Sequence, residues 1–259
     1  MSGLLPTRLR QFGARQRRAL RDWWHGRLGP WAGGPGGGSP NGGGAPQLQR
    51  IAAYACPILN PAFQAHVYDN KMHNLGLVRS RLDSVTLQPG ELFSFWRLVG
   101  PPDAAHGFKV ASNFIGGRIG LAEGGGICQL TSALYNAALL AGLEILERHA
   151  HSIDAYGANR YVPLGRDATV VHGYKDLQFR NATGVPMTLR IAIRPDEVEA
   201  AFFAPDVPSA DVRIEVDALS PDGLHTRTRR RRNGHWEVVS QDRYALPVQA
   251  PAEHEREFA

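Results

Sequence analysis

The sequence predicts an α+β protein: a mixed or antiparallel sheet packed on a central helix that starts at a cysteine, followed by C-terminal β-hairpins. Three observations carry this reading. Directly after Cys128, the apolar residues Leu130, Ala133, Leu134, Ala137, Leu140 and Ala141 recur at helical spacing. Short segments of extended, alternating character lie on both sides of that helix in the chain. Pro195-Asp196 and Asn233-Gly234 stand where such segments need turns, and the second pair favours the positive φ of a type I′ hairpin.

In chain order, residues 1–47 read as a basic tail and linker. Residues 1–50 hold eight arginines against Asp22 alone, so they carry +7 of a formal +5 and the remainder sums to −2. The basic balance therefore belongs to the tail. Residues 5–28 mix Leu5, Leu9, Phe12, Leu20, Trp23 and Trp24 with seven arginines, a pattern open to two readings: a solvated arm, or an amphipathic helix on an anionic membrane surface. Arginines break every apolar window long enough for a cleavable signal peptide. Residues 29–47 are rich in Gly, Pro, Ser and Asn and read as a flexible linker.

The folded region is expected over 48–205, with a C-terminal β extension over 206–259. Leu48, Ile51, Ala52, Ala55 and Ile58 fit helix or strand equally, so the first element stays open. Asn74 to Leu82 reads as a short helix, Ser84 to Leu87 as a strand entering a Gln88-Pro89-Gly90 turn, and Gly107 to Phe114 as a strand. After the cysteine helix, Leu143 to Glu147, His151 to Tyr156, Ala168 to His172 and Leu177 to Asn181 read as extended. Met187 to Ile193 and Glu197 to Phe203 form a hairpin pair, and Val212 to Val216, Thr226 to Arg232 and His235 to Val239 add strands. Arg227, Arg229, Arg230, Arg231 and Arg232 fall on one strand. Without a row of stacking aromatics they read as charges guarding a sheet edge, and no nucleic-acid partner is expected.

Composition excludes several classes. With 259 residues, 43% of them hydrophobic, the chain can bury a sizeable core, yet no apolar run approaches the roughly eighteen residues of a membrane span. Cys56 and Cys128 are the only cysteines, which provides no disulfide framework. Ten scattered histidines without an HExxH arrangement suggest no metal site, and no cofactor is implied. The expected location is cytoplasmic, peripheral at the inner membrane face if residues 5–28 bind there.

The chemistry centres on Gly124-Gly125-Gly126-Ile127-Cys128-Gln129, a glycine run that delivers Cys128 to a helix start. Unpaired N–H groups and the helix dipole lower a thiol's pKa there, and the thiolate is the nucleophile. Gly124, Gly125 and Gly126 would let backbone or substrate approach where a Cβ would clash, while Gln129 would help polarise a carbonyl. A cysteine nucleophile needs a base and a group to orient it. His149 and His151, spaced by two, would share one face of a strand, with Asp154, Asp167 or Asp176 as the carboxylate.

Five ordered motifs resemble the VanW family: Gln88-Pro89-Gly90-Glu91-Leu92-Phe93-Ser94-Phe95, the Gly124–Gln129 run, Glu147-Arg148-His149-Ala150-His151-Ser152, Tyr161-Val162-Pro163-Leu164-Gly165-Arg166-Asp167-Ala168 and Asp176-Leu177-Gln178-Phe179-Arg180-Asn181. The likeness spans roughly 48–200 and implies a bacterial protein of the peptidoglycan envelope, linked to glycopeptide resistance. It further implies an L,D-transpeptidase-like reaction, with peptidoglycan or its precursors as partner. Carried over by motif, Cys128 is the nucleophile, His151 matches the histidine of the family's Arg-x-x-His-Ser pattern, and Asp167 the aspartate of Gly-x-Asp-Ala. Arg148 and Tyr161, in the same motifs, are then candidates for substrate contact. A non-catalytic peptide- or glycan-binding accessory protein is the alternative, and hydrolysis the alternative within the enzyme class.

Overall fold

A computed structural model describes residues 22, 24, 27, 29–35, 47–59, 65–115, 118–206 and 211–247. The elements run β1 (Gln49–Pro57), α1 (Ala65–Leu82), β2 (Thr86–Leu87), β3 (Leu92–Ser94), α2 (Phe95–Val99), β4 (Val110–Ile115), β5 (Arg118–Glu123), α3 (Ile127–Leu140) and β6 (Glu144–Glu147). They continue with β7 (Gln178–Arg180), β8 (Met187–Ile193), β9 (Glu197–Ala204), β10 (Val212–Ala218), β11 (His225–Arg232) and β12 (His235–Arg243). These strands pair antiparallel in four sheets: β1-β9-β8-β2, β3-β7-β6, β4-β5 and β10-β11-β12. The chain is thus α+β, with hairpins at its C-terminal end.

Helix α3 is the centre of the packing. Its sequence is apolar on nearly every side, so it is buried along most of its length and packs chiefly on β1 and β9. That sheet also settles the open first element: β1 pairs with β9 from Gln49↔Ala204 to Pro57↔Glu197, which makes it a strand. Phe93 stacks on Phe179 at 4.3 Å, and Phe179 meets Phe202 edge-on at 5.9 Å, joining two sheets through one core.

Helix α1 begins nine residues before the expected Asn74 start. The reason is polar: Lys71 and Asn74 lie on its buried stripe and mask the apolar period. Lys71 Nζ donates to Leu59 O at 2.6 Å, and Asn74 Nδ2 donates to Lys109 O at 2.9 Å and Gly125 O at 3.1 Å. These bonds offset burial only in part, since desolvation still pulls Lys71 down to about 8.

Two expected strands are not strands. His151 to Tyr156 and Ala168 to His172 are irregular, with bridges only at Ile153↔Ala245 and Val171↔Lys175. Side chains of α3 take the backbone bonds that a sheet would have made: Thr131 Oγ1 donates to Ala168 O at 2.7 Å, Ser132 Oγ accepts from Ala168 N at 2.9 Å, and Asn136 Nδ2 donates to Arg166 O at 2.7 Å.

The arginine-rich strand is a further correction. β11 is the central strand of its sheet, not an edge, because β10 and β12 pair on both of its sides. Acidic neighbours explain how: Arg229 pairs with Glu215 at 3.0 Å and Asp217 at 2.8 Å, and Arg230 with Glu237 at 2.7 Å. Arg230 is also buried, donating to Leu139 O at 3.3 Å and Leu143 O at 2.6 Å, while Arg232 donates to Gly142 O at 3.0 Å. Both cations satisfy carbonyls at the C-terminal end of α3, where the helix dipole is negative. Asn233 (φ 51°) and Gly234 (φ 82°) make the expected turn to β12.

The N-terminal stretch is more engaged than a linker. Leu92 N donates to Pro30 O and Ala32 N to Leu92 O, both at 2.9 Å, and Ala32 is buried. Arg27 donates to Leu146 O at 2.7 Å and pairs with Glu147 at 3.1 Å. Apart from Asp22, Trp24 and Arg27, the segment 5–28 read as an amphipathic helix lies outside the described residues, as does 36–46 of the linker. Among the described residues, no helix is long and apolar enough to cross a membrane.

Candidate active site

The glycine run makes a tight entry to α3. A Cβ on Gly125 would lie 2.3 Å from Ala111 O, and Gly126, the N-cap, sits at φ 92° with Lys71 Cγ 2.5 Å from where its Cβ would be. These glycines therefore admit the protein's own strand β4 and helix α1, not a ligand. Gly125→Ala is expected to cost about 3 kcal/mol or more, because the atom it strikes is backbone; the fall in urea midpoint checks this.

Cys128 follows, half-buried in the first turn of α3. Its Sγ lies 3.6 Å from Thr169 Oγ1, with the His151 side chain and the Val170 N–H near enough to act on its charge. Burial alone would push the thiol up; the His151 hydrogen bond and charge, with Val170 and Thr169, outweigh it and hold the thiol below its ordinary value. Cys56 is the opposite case. Burial, with Glu197 nearby, pushes it up to about 12, and its thiol donates to Gln129 O at 3.3 Å.

His151 is held from its other ring edge. Its Nδ1 is 2.6 Å from Asp167 Oδ2, and its backbone N donates to the same oxygen at 2.7 Å. Burial would depress the imidazole, yet hydrogen bonds to Asp167 and Cys128 raise it to about 10. Each member thus favours the charged form of the other, a thiolate beside an imidazolium. His149 plays another part, at 3.0 Å from Glu147 Oε1. The shared-face argument for the two histidines fails because the segment carrying His151 is irregular.

Asp167 accepts from four groups. Besides the two of His151, Arg148 Nη2 donates to Oδ1 at 3.0 Å and Tyr244 OH at 2.6 Å. Burial disfavours its charge, but the His151 hydrogen bond and the Arg148 guanidinium hold it at about 2. The Arg148 side chain is itself buried, with Nε on Asp167 O at 2.6 Å and Nη1 on Asp242 at 2.5 Å. It orients the carboxylate, and all three of its guanidinium nitrogens are engaged within the protein. Of the other two aspartates, Asp154 pairs with Arg160, and Asp176 accepts from Ser94 Oγ at 2.6 Å and Trp96 N at 3.0 Å.

Gln129 turns away from Cys128. Its Nε2 donates to Pro57 O at 3.2 Å on the β1 side of the helix. Tyr161 does reach the site: its ring meets Tyr156 edge-on at 5.7 Å, and both line a narrow cleft of about 30 Å³ with His151, Asp167 and Tyr244. Two participants had no local signal. Thr169 sits on an irregular segment, and Tyr244 lies beyond the quoted motifs, 77 residues from Asp167. Tyr244 OH also accepts from Gly165 N at 2.7 Å, so the C-terminal sheet clamps the loop that carries Asp167. Among the described residues no group of three or more His, Cys, Asp or Glu is placed to hold a metal ion.

Comparison with known proteins agrees with the motifs. A family model described as VanW like protein matches residues 70–203, just over half of the chain. The uncharacterized protein YoaR of Bacillus subtilis (strain 168) is 34% identical over 144 residues, covering 56% of this chain and 46% of its own length. The vancomycin B-type resistance protein VanW of Enterococcus faecalis (strain ATCC 700802 / V583) is 31% identical over 156 residues, covering 60% of this chain and 57% of its own. The chain thus spans about half the length of these curated relatives. No solved structure matches it. On the family match, and with Cys128, His151 and Asp167 standing in three of its motifs, the chain belongs to the VanW-like family.

Proposed function

We propose that the chain is a cysteine-dependent acyl transferase acting on stem peptides of peptidoglycan or of its precursors, in the manner of an L,D-transpeptidase. The observation that carries this reading is the contact chain Cys128–His151–Asp167, in which a half-buried thiol meets an imidazole fixed by a buried carboxylate. The family, and a relative named for vancomycin resistance, supports a substrate in the bacterial envelope.

In this reaction the Cys128 thiolate adds to a stem-peptide carbonyl carbon, and the carbonyl π pair moves onto oxygen. The tetrahedral adduct collapses as His151 gives its Nε2 proton to the departing amine, leaving a thioester on Cys128. An acceptor amine of a second stem attacks that thioester, surrenders a proton to His151, and expels the thiolate. Asp167 keeps the imidazole in orientation and stabilises its charge throughout.

The test is incubation of the purified chain with muropeptides, read by mass spectrometry. Cross-linked product is expected, falling by on the order of 10³-fold or more in Cys128→Ala. Muropeptide binding that is unchanged in Cys128→Ser, with no product from the unmodified chain, would overturn the proposal in favour of a binding module. Release of a free carboxylate in place of a cross-link would make the same site a hydrolase.

A further inference from the structure

We infer that Tyr161 is a catalytic residue at this site, its phenolic O–H donating to the oxyanion that forms when Cys128 attacks a carbonyl. The inference rests on the acyl-transfer reading above. Three observations support it. Tyr161 is buried, 8% exposed, and its hydroxyl has no hydrogen-bond partner among the described residues, which is costly for a buried donor unless something else uses it. The neighbouring Ser132 Oγ donates to Cys128 O at 2.8 Å and accepts from Ala168 N at 2.9 Å, so it has no proton left for the phenol and only a second lone pair to offer it.

The ring is also placed for the task. It lines the cleft shared by His151 and Asp167 and is held edge-on against Tyr156 at 5.7 Å, so the ring loses little freedom when substrate arrives. Its electrostatic environment is that of the reacting sulfur. Burial first, then the charges of Cys128 and Asp167, hold the phenol well above its ordinary value, so it stays protonated and remains a donor.

Electron flow places the donor where charge develops. As the thiolate forms its C–S bond, the C=O π pair becomes an oxygen lone pair, and the Tyr161 O–H bonds to that oxygen without transferring its proton. When the C–N bond breaks, the pair returns to the carbonyl, the amine leaves with the His151 proton, and Tyr161 is unchanged. Alkylation by iodoacetamide develops no oxyanion. It therefore reports the thiolate alone.

Tyr161→Phe separates these roles, since it keeps the ring and removes only an unpaired hydroxyl. The probe is p-nitrophenyl acetate, with p-nitrophenolate release and the acetyl adduct on Cys128 read together. Acylation is expected to fall about 100-fold in Tyr161→Phe, while the iodoacetamide rate stays within about twofold. Acylation at the unmodified rate would overturn the role while leaving acyl transfer intact. Equal falls in acylation and alkylation would overturn it too, making Tyr161 a support for the thiolate. If the unmodified chain forms no acyl-Cys128 with either this ester or muropeptides, the acyl-transfer reading falls and takes the Tyr161 role with it.

Discussion

Replacing His151 with glutamine is expected to slow alkylation of Cys128 by up to about 100-fold at about pH 6.5, two units below the free-thiol value near 8.5. In the intact pair the imidazolium holds the thiol below its ordinary value, so the rate should level off at a lower pH than that of a free thiol. Without it, burial is the largest influence left, and the profile should climb as an ordinary or raised thiol does. Cys56 does not confuse the measurement, because it is buried and held near 12. Turnover should behave differently from alkylation on the alkaline side. Acyl transfer needs the His151 proton for the leaving amine and should fall as pH rises through about 10, whereas the thiolate persists and alkylation does not fall. Identical pH profiles for His151→Gln and the unmodified chain would refute the ion pair.

Asp167→Ala is expected to be the most destabilising change at the site, by about 3–5 kcal/mol, because it leaves buried charge without its partner. Arg148 would keep only Asp242, His151 would lose the acceptor of its Nδ1, and Tyr244 would lose the acceptor of its hydroxyl. Urea denaturation of the variant and the parent checks the magnitude. The pH dependence gives a second check. Asp167 is held at about 2 against about 3.9 unfolded, so its contribution, about 2–3 kcal/mol, is present above the unfolded value and lost as pH falls through about 2. His151 is raised to about 10 from about 6.5, so its contribution is complete below 6.5 and fades as pH rises through about 10. The parent should therefore be most stable between about pH 4 and 6.5 as far as this site decides it, and Asp167→Ala should flatten both flanks. A variant with the parent's urea midpoint and the parent's acid flank would show that the carboxylate is not ion-paired in solution.

The site was unevenly legible in the residues. Cys128 announced itself through the glycine run and the helical period behind it, both local features. Spacing alone left His149 and His151 equivalent, and left Asp154, Asp167 and Asp176 as rivals; only the family motifs ranked them. The glycines were visible as a constraint, but their cause was not, since Ala111 and Lys71 reach them from distant parts of the chain. Arg148 looked like a contact for substrate because an exposed and a buried arginine are the same letter. Its burial comes from Asp242, 94 residues away.

By itself the sequence determined what depends on neighbours along the chain: the α3 period, the hairpins at Pro195-Asp196 and Asn233-Gly234, and a cysteine at a helix start. The tertiary structure decided what depends on partners far apart in the chain. It made β1 a strand by giving it β9, put the five-arginine strand at the centre of its sheet by flanking it with carboxylates, and left the Asp167 segment irregular by offering it Thr131, Ser132 and Asn136. Backbone propensity is a weak bias of tenths of a kcal/mol per residue, while an unpaired buried polar group costs about 1–3 kcal/mol. Where the two conflict, satisfaction of the buried groups prevails, and such groups converge on Cys128.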